Sequence, residues 1–260
     1  MRGEGIRSSC GGNVERRRTI VPLIIAHRGA SGVAPESTRA ALRAAVASGA
    51  RMVELDVQMT RDERLIIFHD DRLERTTNGT GRVRQKRYAE LAALDAGSWF
   101  HRRFAGERIL LVSQVLRLLP QRMRINLELK RASRRQALLR RVRRLLDRIP
   151  DRRHRLLLSS VDPDMLRPLW RTAIPLALIG SRHPESSLRR AIRLRVSAWH
   201  PHHALVTPAR IAAAHAHGLR VHAWTVDDPV RARQLLRWGV DGLFTNHPAR
   251  LRRLFGGHAS

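Results

Sequence analysis

At 260 residues and 43% hydrophobic content, the chain is long enough to close one large α/β domain, since barrels of roughly 250 residues form single units. No window approaches the ~20 consecutive apolar residues of a membrane-crossing helix, and a single cysteine, Cys10, excludes an intramolecular disulfide framework and fits a reducing, cytoplasmic setting. The formal net charge of +28 permits attraction to an anionic membrane surface or to nucleic acid. All but two of the 50 basic residues are arginines spread over the whole chain, however, and aromatic residues make up only 4%. That pattern reads as a compositional bias rather than a dedicated patch, and offers few rings for stacking on single strands.

In chain order, residues 1–19 are rich in glycine and arginine without an apolar segment, so they read as a disordered basic leader and not as a secretory signal. Residues 20–254 form the folded unit and 255–260 a tail. Residues 21–26 predict a first strand, and residues 38–46, with Pro35 just ahead, a helix burying Ala41, Leu42, Ala45 and Val46. Strands follow at 52–57 and 65–68, joined by too few residues for a crossover helix. From Asp71 to Val112 the alternation breaks into a polar, glycine-punctuated stretch, an insertion at the loop end of a barrel. Helix resumes at 113–119, strand at 124–129, and a long amphipathic helix at 133–149 turns Leu138, Leu139, Val142, Leu145, Leu146 and Ile149 inward and an arginine ridge outward. Further strands are expected at 156–159, 176–179, 196–199, 221–225 and 242–245. Short strands alternating with helices predict a TIM (β/α)8 barrel. Nine strands are one more than the barrel needs, so either one lies outside it or the short second connection is irregular.

The chemistry concentrates at strand ends. Alternation sends Glu54 and Asp56 to one side of their strand, and Asn126, Glu128 and Lys130 to one side of theirs. Glu54, Asp56 and Glu128 make an oxygen-rich site suited to Ca²⁺ or Mg²⁺. His27 and His69 each follow an apolar run, where two imidazoles can divide the acid and base roles of phosphodiester cleavage. The forked donors of Arg28 and the point charge of Lys130 suit phosphate oxygens, and Trp224 can stack on a glycerol moiety or fill the barrel. The remaining candidates, His200, His202, His203, His215 and His217, lack a metal-ligand spacing and read as surface residues.

With these residues laid out, the chain resembles the glycerophosphodiester phosphodiesterase family from about residue 21 to 248. The likeness is carried by His27-Arg28-Gly29, Pro35-Glu36-Ser37-Thr38, Glu54-Leu55-Asp56, His69-Asp70, the run from Arg75 to Gly81, Glu128-Leu129-Lys130, Trp224-Thr225-Val226 and Gly239-Val240-Asp241-Gly242 before Pro248. The resemblance implies a TIM barrel with a small insertion after the third strand. It also implies a divalent cation on Glu54, Asp56 and Glu128, an acid and base pair in His27 and His69, phosphate contacts from Arg28 and Lys130, and Glu36 near the metal. Its substrates are deacylated phospholipids, and some relatives cleave lysophospholipids.

Three departures stand out. Ser37 replaces the family's asparagine, Leu110-Leu111-Val112-Ser113-Gln114 replaces a run with two carboxylates, and Asp227 and Asn246 stand where asparagine and aspartate are typical. The apolar Leu110-Leu111-Val112 run keeps a lysophospholipase D open as a second reading. A basic binding protein with an inactive barrel is a third, opposed by the intact set of histidines and carboxylates.

Overall fold

A computed structural model describes residues 22–149 and 152–255; the expected leader and all but Phe255 of the expected tail lie outside them. Nine strands run β1 Leu23–His27, β2 Met52–Met59, β3 Leu65–Ile67, β4 Arg124–Leu129, β5 Leu156–Ser160, β6 Leu176–Gly180, β7 Ala198–Pro201, β8 Arg220–Ala223 and β9 Gly242–Thr245. Eight are parallel and close through β1 pairing with both β9 and β2, while β3 alone pairs antiparallel with β2. The short connection after β2 is therefore a hairpin, and the surplus strand lies outside the barrel. The expected TIM barrel with an inserted segment is what forms.

Helices close over the outside, each buried stripe set by its sequence period. Arg39–Ala47 buries Ala41, Leu42 and Ala45, and its Thr38 cap accepts from Ala41 N at 3.4 Å. Pro163–Leu166, Pro184–Leu194, Pro208–Ala216, Pro229–Trp238 and Pro248–Phe255 all start on proline, whose fixed φ suits the first helical turn and whose missing N–H costs nothing there. The long arginine-faced helix spans Arg135–Leu146 and buries Leu138, Leu139, Val142 and Leu146. Part of its ridge is engaged: Arg134, just before the helix, and Arg141 both pair with Glu63, and Arg135 pairs with Asp164.

The main core lies between barrel and helices, while Ile25, Met52 and Phe244 fill the barrel interior on one side and Leu157, Ala177 and Ala198 on the other. The insertion has its own core of Phe68, Leu73, Val83, Leu91, Ala96, Ile109 and Leu111. Leu110 and Val112 are buried in the main core and Leu111 in the core of the insertion, so the apolar replacements at 110–112 serve packing. Strand β7 starts two residues later than expected, at Ala198, which draws His200 into the strand. His200 is 1% exposed; its assignment to the surface is corrected, because its position in the strand alternation points it into the barrel.

Candidate active site

The hairpin explains how His27 and His69, far apart in the chain, come to line one cavity. β1 pairs with β2 only as far as His27 opposite Glu54, whereas β3 takes the same edge of β2 from Val57 onward. In the gap between them Phe68 N donates to Asp56 O at 2.9 Å, which brings His69 over the end of β1. Gln58 Nε2 fixes the returning loop by donating to Phe68 O at 2.9 Å and Asp70 O at 2.6 Å. His27 and His69 line one cavity of about 140 Å³ with Arg28, Glu54, Asn126, Glu128, Lys130 and Trp224. Every expected site residue except Asp56 and Glu36 lines it, and Asp56 sits directly behind with Lys130 and Arg28.

The turn after β1 demands unusual backbone. Arg28 and Ser37 have φ of +55° and +61°, and Gly29 has +83°. A Cβ on Gly29 would lie 2.8 Å from the Ala41 backbone, so only glycine lets the turn close on the first helix. Ser37 occupies the left-handed region that asparagine tolerates better, and its buried hydroxyl has no partner among the described residues. Ser37→Asn should raise unfolding stability by about 0.5–1 kcal/mol, a fraction of the left-handed penalty, in a denaturant titration; an unchanged or lower midpoint would show that Ser37 is not strained.

Ligand-type oxygens from Glu54, Asp56 and Glu128 lie within 4.8 Å of one another. Glu54 Oε1 and Asp56 Oδ2 are buried without hydrogen-bond partners, and a hard cation satisfies such oxygens. Burial and the neighbouring Asp56 and Glu128 charges hold the Glu54 carboxyl well above its usual range, and burial together with Asp56 raises Glu128. Asp56 goes the other way: burial opposes its charge, but Lys130 and Arg28 prevail and its pKa falls. The residues thus fit a divalent cation, and the charge they gather favours one.

Lys130 Nζ donates to Asp56 Oδ1 at 3.2 Å and Glu128 Oε1 at 3.1 Å. Arg28 N donates to Glu54 Oε2 at 3.1 Å and its guanidinium to Glu36 Oε1 at 3.1 Å, with Nε 3.5 Å from Asp56 Oδ2. Glu36 also receives a bidentate grip from Arg75 at 2.7 and 3.0 Å, and Arg75 reaches on to Asp70. Glu36 is therefore an anchor for two guanidiniums and stands outside the three-carboxylate cluster.

The histidines differ in their partners. His69 Nδ1 lies 2.5 Å from Asp70 Oδ1. His27 Nδ1 lies 2.8 Å from Asn246 Oδ1, and Asn246 Nδ2 donates to Asp227 Oδ2 at 2.6 Å. That second bond orients the amide, so its oxygen must accept from His27 Nδ1–H, which leaves Nε2 bare toward Glu54 at 3.8 Å. Burial and Arg28 lower His27 to about 4; burial lowers His69 too, against the pull of Asp56. Sequence reasoning noted Asp227 and Asn246 only as departures; their swapped identities are a matched pair in one hydrogen-bonded chain. Asn246→Asp alone sets two carboxylates against each other and should cut turnover about tenfold, while adding Asp227→Asn restores it, as expected of coupled neighbours. Additive losses in the double variant would break the chain.

Two histidines and three carboxylates at the C-terminal mouth of a TIM barrel are a set suited to a metal-assisted hydrolase. Residues 27–250 match the model of the glycerophosphoryl diester phosphodiesterase family, and the chain belongs to that family. It is 37% identical over 231 residues to the Bacillus subtilis protein YhdW, covering 86% of this chain and 94% of that one. It is 31% identical over 240 residues to a glycerophosphodiester phosphodiesterase of Caldanaerobacter subterraneus subsp. tengcongensis, covering 89% and 97%. An Oleispira antarctica phosphodiesterase solved with the product sn-glycerol-3-phosphate superposes with a TM-score of 0.85 at 31% identity, over 91% of this chain and 98% of the other.

Proposed function

We propose that the chain hydrolyses glycerophosphodiesters such as glycerophosphocholine to sn-glycerol 3-phosphate and an alcohol. In this reading Glu54, Asp56 and Glu128 hold Ca²⁺ or Mg²⁺, and His27 and His69 move the protons. The observation that carries it is the convergence of both histidines with the carboxylates on one cavity, in a chain of this family. The bound cation would neutralise charge that builds on the non-esterified phosphate oxygens. Arg28 and Lys130, already aimed at the carboxylates, add positive charge around the same phosphate. His27, with Nε2 bare and an amide rather than a carboxylate behind it, takes the proton of the attacking hydroxyl, either that of water, giving glycerol 3-phosphate directly, or that of the glycerol 2-carbon, giving a cyclic phosphate that water then opens. His69, whose imidazolium form Asp70 supports, gives a proton to the leaving oxygen. Trp224, its Nε1 donating to His200 O at 2.8 Å, forms the wall for the carbon skeleton.

Among the described residues no helix is long and apolar enough to cross a membrane. A cytoplasmic location and peripheral contact of the arginine-rich surface with anionic membranes belong to this reading, and they would bring the enzyme near the source of deacylated phospholipid. Neither the lysophospholipase D nor the inactive-barrel reading is favoured: residues 110–112 are core, and both histidines and the three carboxylates come together. Turnover of glycerophosphocholine should exceed that of lysophosphatidylcholine at least about tenfold; the reverse order would transfer the activity to lysophospholipids.

A further inference from the structure

Beside Glu54 and below the paired Asp56 and Glu128, the barrel holds polar groups that the proposed chemistry leaves unused. Asn126 lies on β4 opposite Glu54 and two residues below Glu128, which is about 6–7 Å deeper along the strand. It is 1% exposed, and neither its amide nitrogen nor its oxygen has a partner among the described residues. His200 on β7, also 1% exposed, has an unpartnered Nδ1. Both side chains line the same cavity as His27 and His69. Buried polar atoms are nearly always satisfied by protein, water or ligand, so three orphaned atoms along one cavity call for a group that can both donate and accept.

His200 is also held in place. Its Nε2 lies 3.1 Å from His222 Nδ1, and its ring packs edge-on against Phe244 with centroids 5.0 Å apart. A Cβ on Gly242 would come within 2.9 Å of the His222 ring, so the strand beside the pair leaves room for it through glycine. Burial keeps both rings below the usual histidine range, hence neutral, and one proton lies between them. If His222 donates to His200, then His200 Nδ1 carries a proton toward the cavity; if His200 donates, that Nδ1 accepts. The floor thus adapts to a hydroxyl in either orientation. The rest of the lining is largely apolar, with Val161, Ile179, Trp224 and Phe244.

We infer that Asn126 and His200 form a hydroxyl-binding subsite that reads the free glycerol end of the substrate and disfavours diesters whose corresponding carbons bear no hydroxyl or an acyl ester. The inference rests on the phosphodiester reading of the site above and names which end of the diester goes deep. The glycerol half is common to all such substrates and the alcohol varies, so a closed polar floor suits the constant half and the open mouth the variable one. An alkyl or acylated group at the floor would leave the Asn126 and His200 atoms unpaired, the arrangement by which sites reject analogues lacking a hydroxyl.

The test compares binding of sn-glycerol 3-phosphate and n-propyl phosphate, which share the phosphate and three-carbon chain but not the hydroxyls, by calorimetry at saturating Mg²⁺ or Ca²⁺. The parent protein should bind the glycerol compound about 10- to 100-fold more tightly. Asn126→Leu, close in volume, and His200→Phe should each shrink that ratio toward one while leaving propyl phosphate affinity unchanged. Equal affinities in the parent, or variants that lose both anions in parallel, would overturn the subsite. Hydrolysis of glycerophosphocholine by the same preparations separates the two claims. Discrimination without hydrolysis keeps the subsite and removes the proposed activity, whereas hydrolysis without discrimination does the opposite.

Discussion

Alanine at His27 or at His69 should lower turnover of glycerophosphocholine by about 10²-fold or more, with KM changed far less. Both rings line the cavity and each has its own anchor, Asn246 for His27 and Asp70 for His69. Neither has a substitute at hand: the other cavity histidine, His200, sits on the floor and is held by His222. The losses should not multiply in the double variant, because both rings serve one concerted proton exchange. Their pH profiles separate the roles, since loss of the base removes the acidic limb and loss of the acid the basic limb. Turnover within a few-fold of the parent in either single variant, measured as glycerol 3-phosphate release, would remove that ring from the chemistry.

The second large effect concerns Glu54. Glu54→Ala deletes one of three clustered carboxylates and the acceptor of Arg28 N, and should reduce cation-dependent turnover by more than about 10²-fold. Stability provides an independent readout through Glu54→Gln. The folded pKa of Glu54 is raised above its usual value by burial and by Asp56 and Glu128. In the cation-free protein the folded state therefore binds more protons than the unfolded one, and stability falls as pH rises from the ordinary glutamate range through that raised value. Glutamine removes this loss, so the cation-free variant should match or exceed the parent in stability at neutral pH while losing the stabilisation that added cation gives the parent. A variant destabilised without cation and still stabilised by it would show that Glu54 is a structural group.

Much of this site was legible because strand alternation is strict. Glu54 with Asp56, and Asn126 with Glu128 and Lys130, had to share a face, and the barrel turned that face inward. The hairpin was harder to read: the link between β2 and β3 was noticed as too short for a crossover, but that observation alone did not say that β3 would occupy the upper edge of β2 and carry His69 over His27. His200 was misread for a physical reason. Its inward position is polar and falls one residue past the expected strand end, while Trp199, facing the helices, carries the hydrophobic signal. The link between Asp227 and Asn246 could be found only in three dimensions, because neither residue means anything without the other and His27.

The central claim is that a divalent cation on Glu54, Asp56 and Glu128 and the two histidines together cleave a glycerophosphodiester. Release of sn-glycerol 3-phosphate from glycerophosphocholine by metal-stripped protein, with Ca²⁺, Mg²⁺ or chelator added back and Glu54→Ala alongside, tests it most directly. Activity restored by one of the ions, abolished by chelator and absent from the variant is the predicted result. Full activity in chelator, or silence under both ions, would contradict it.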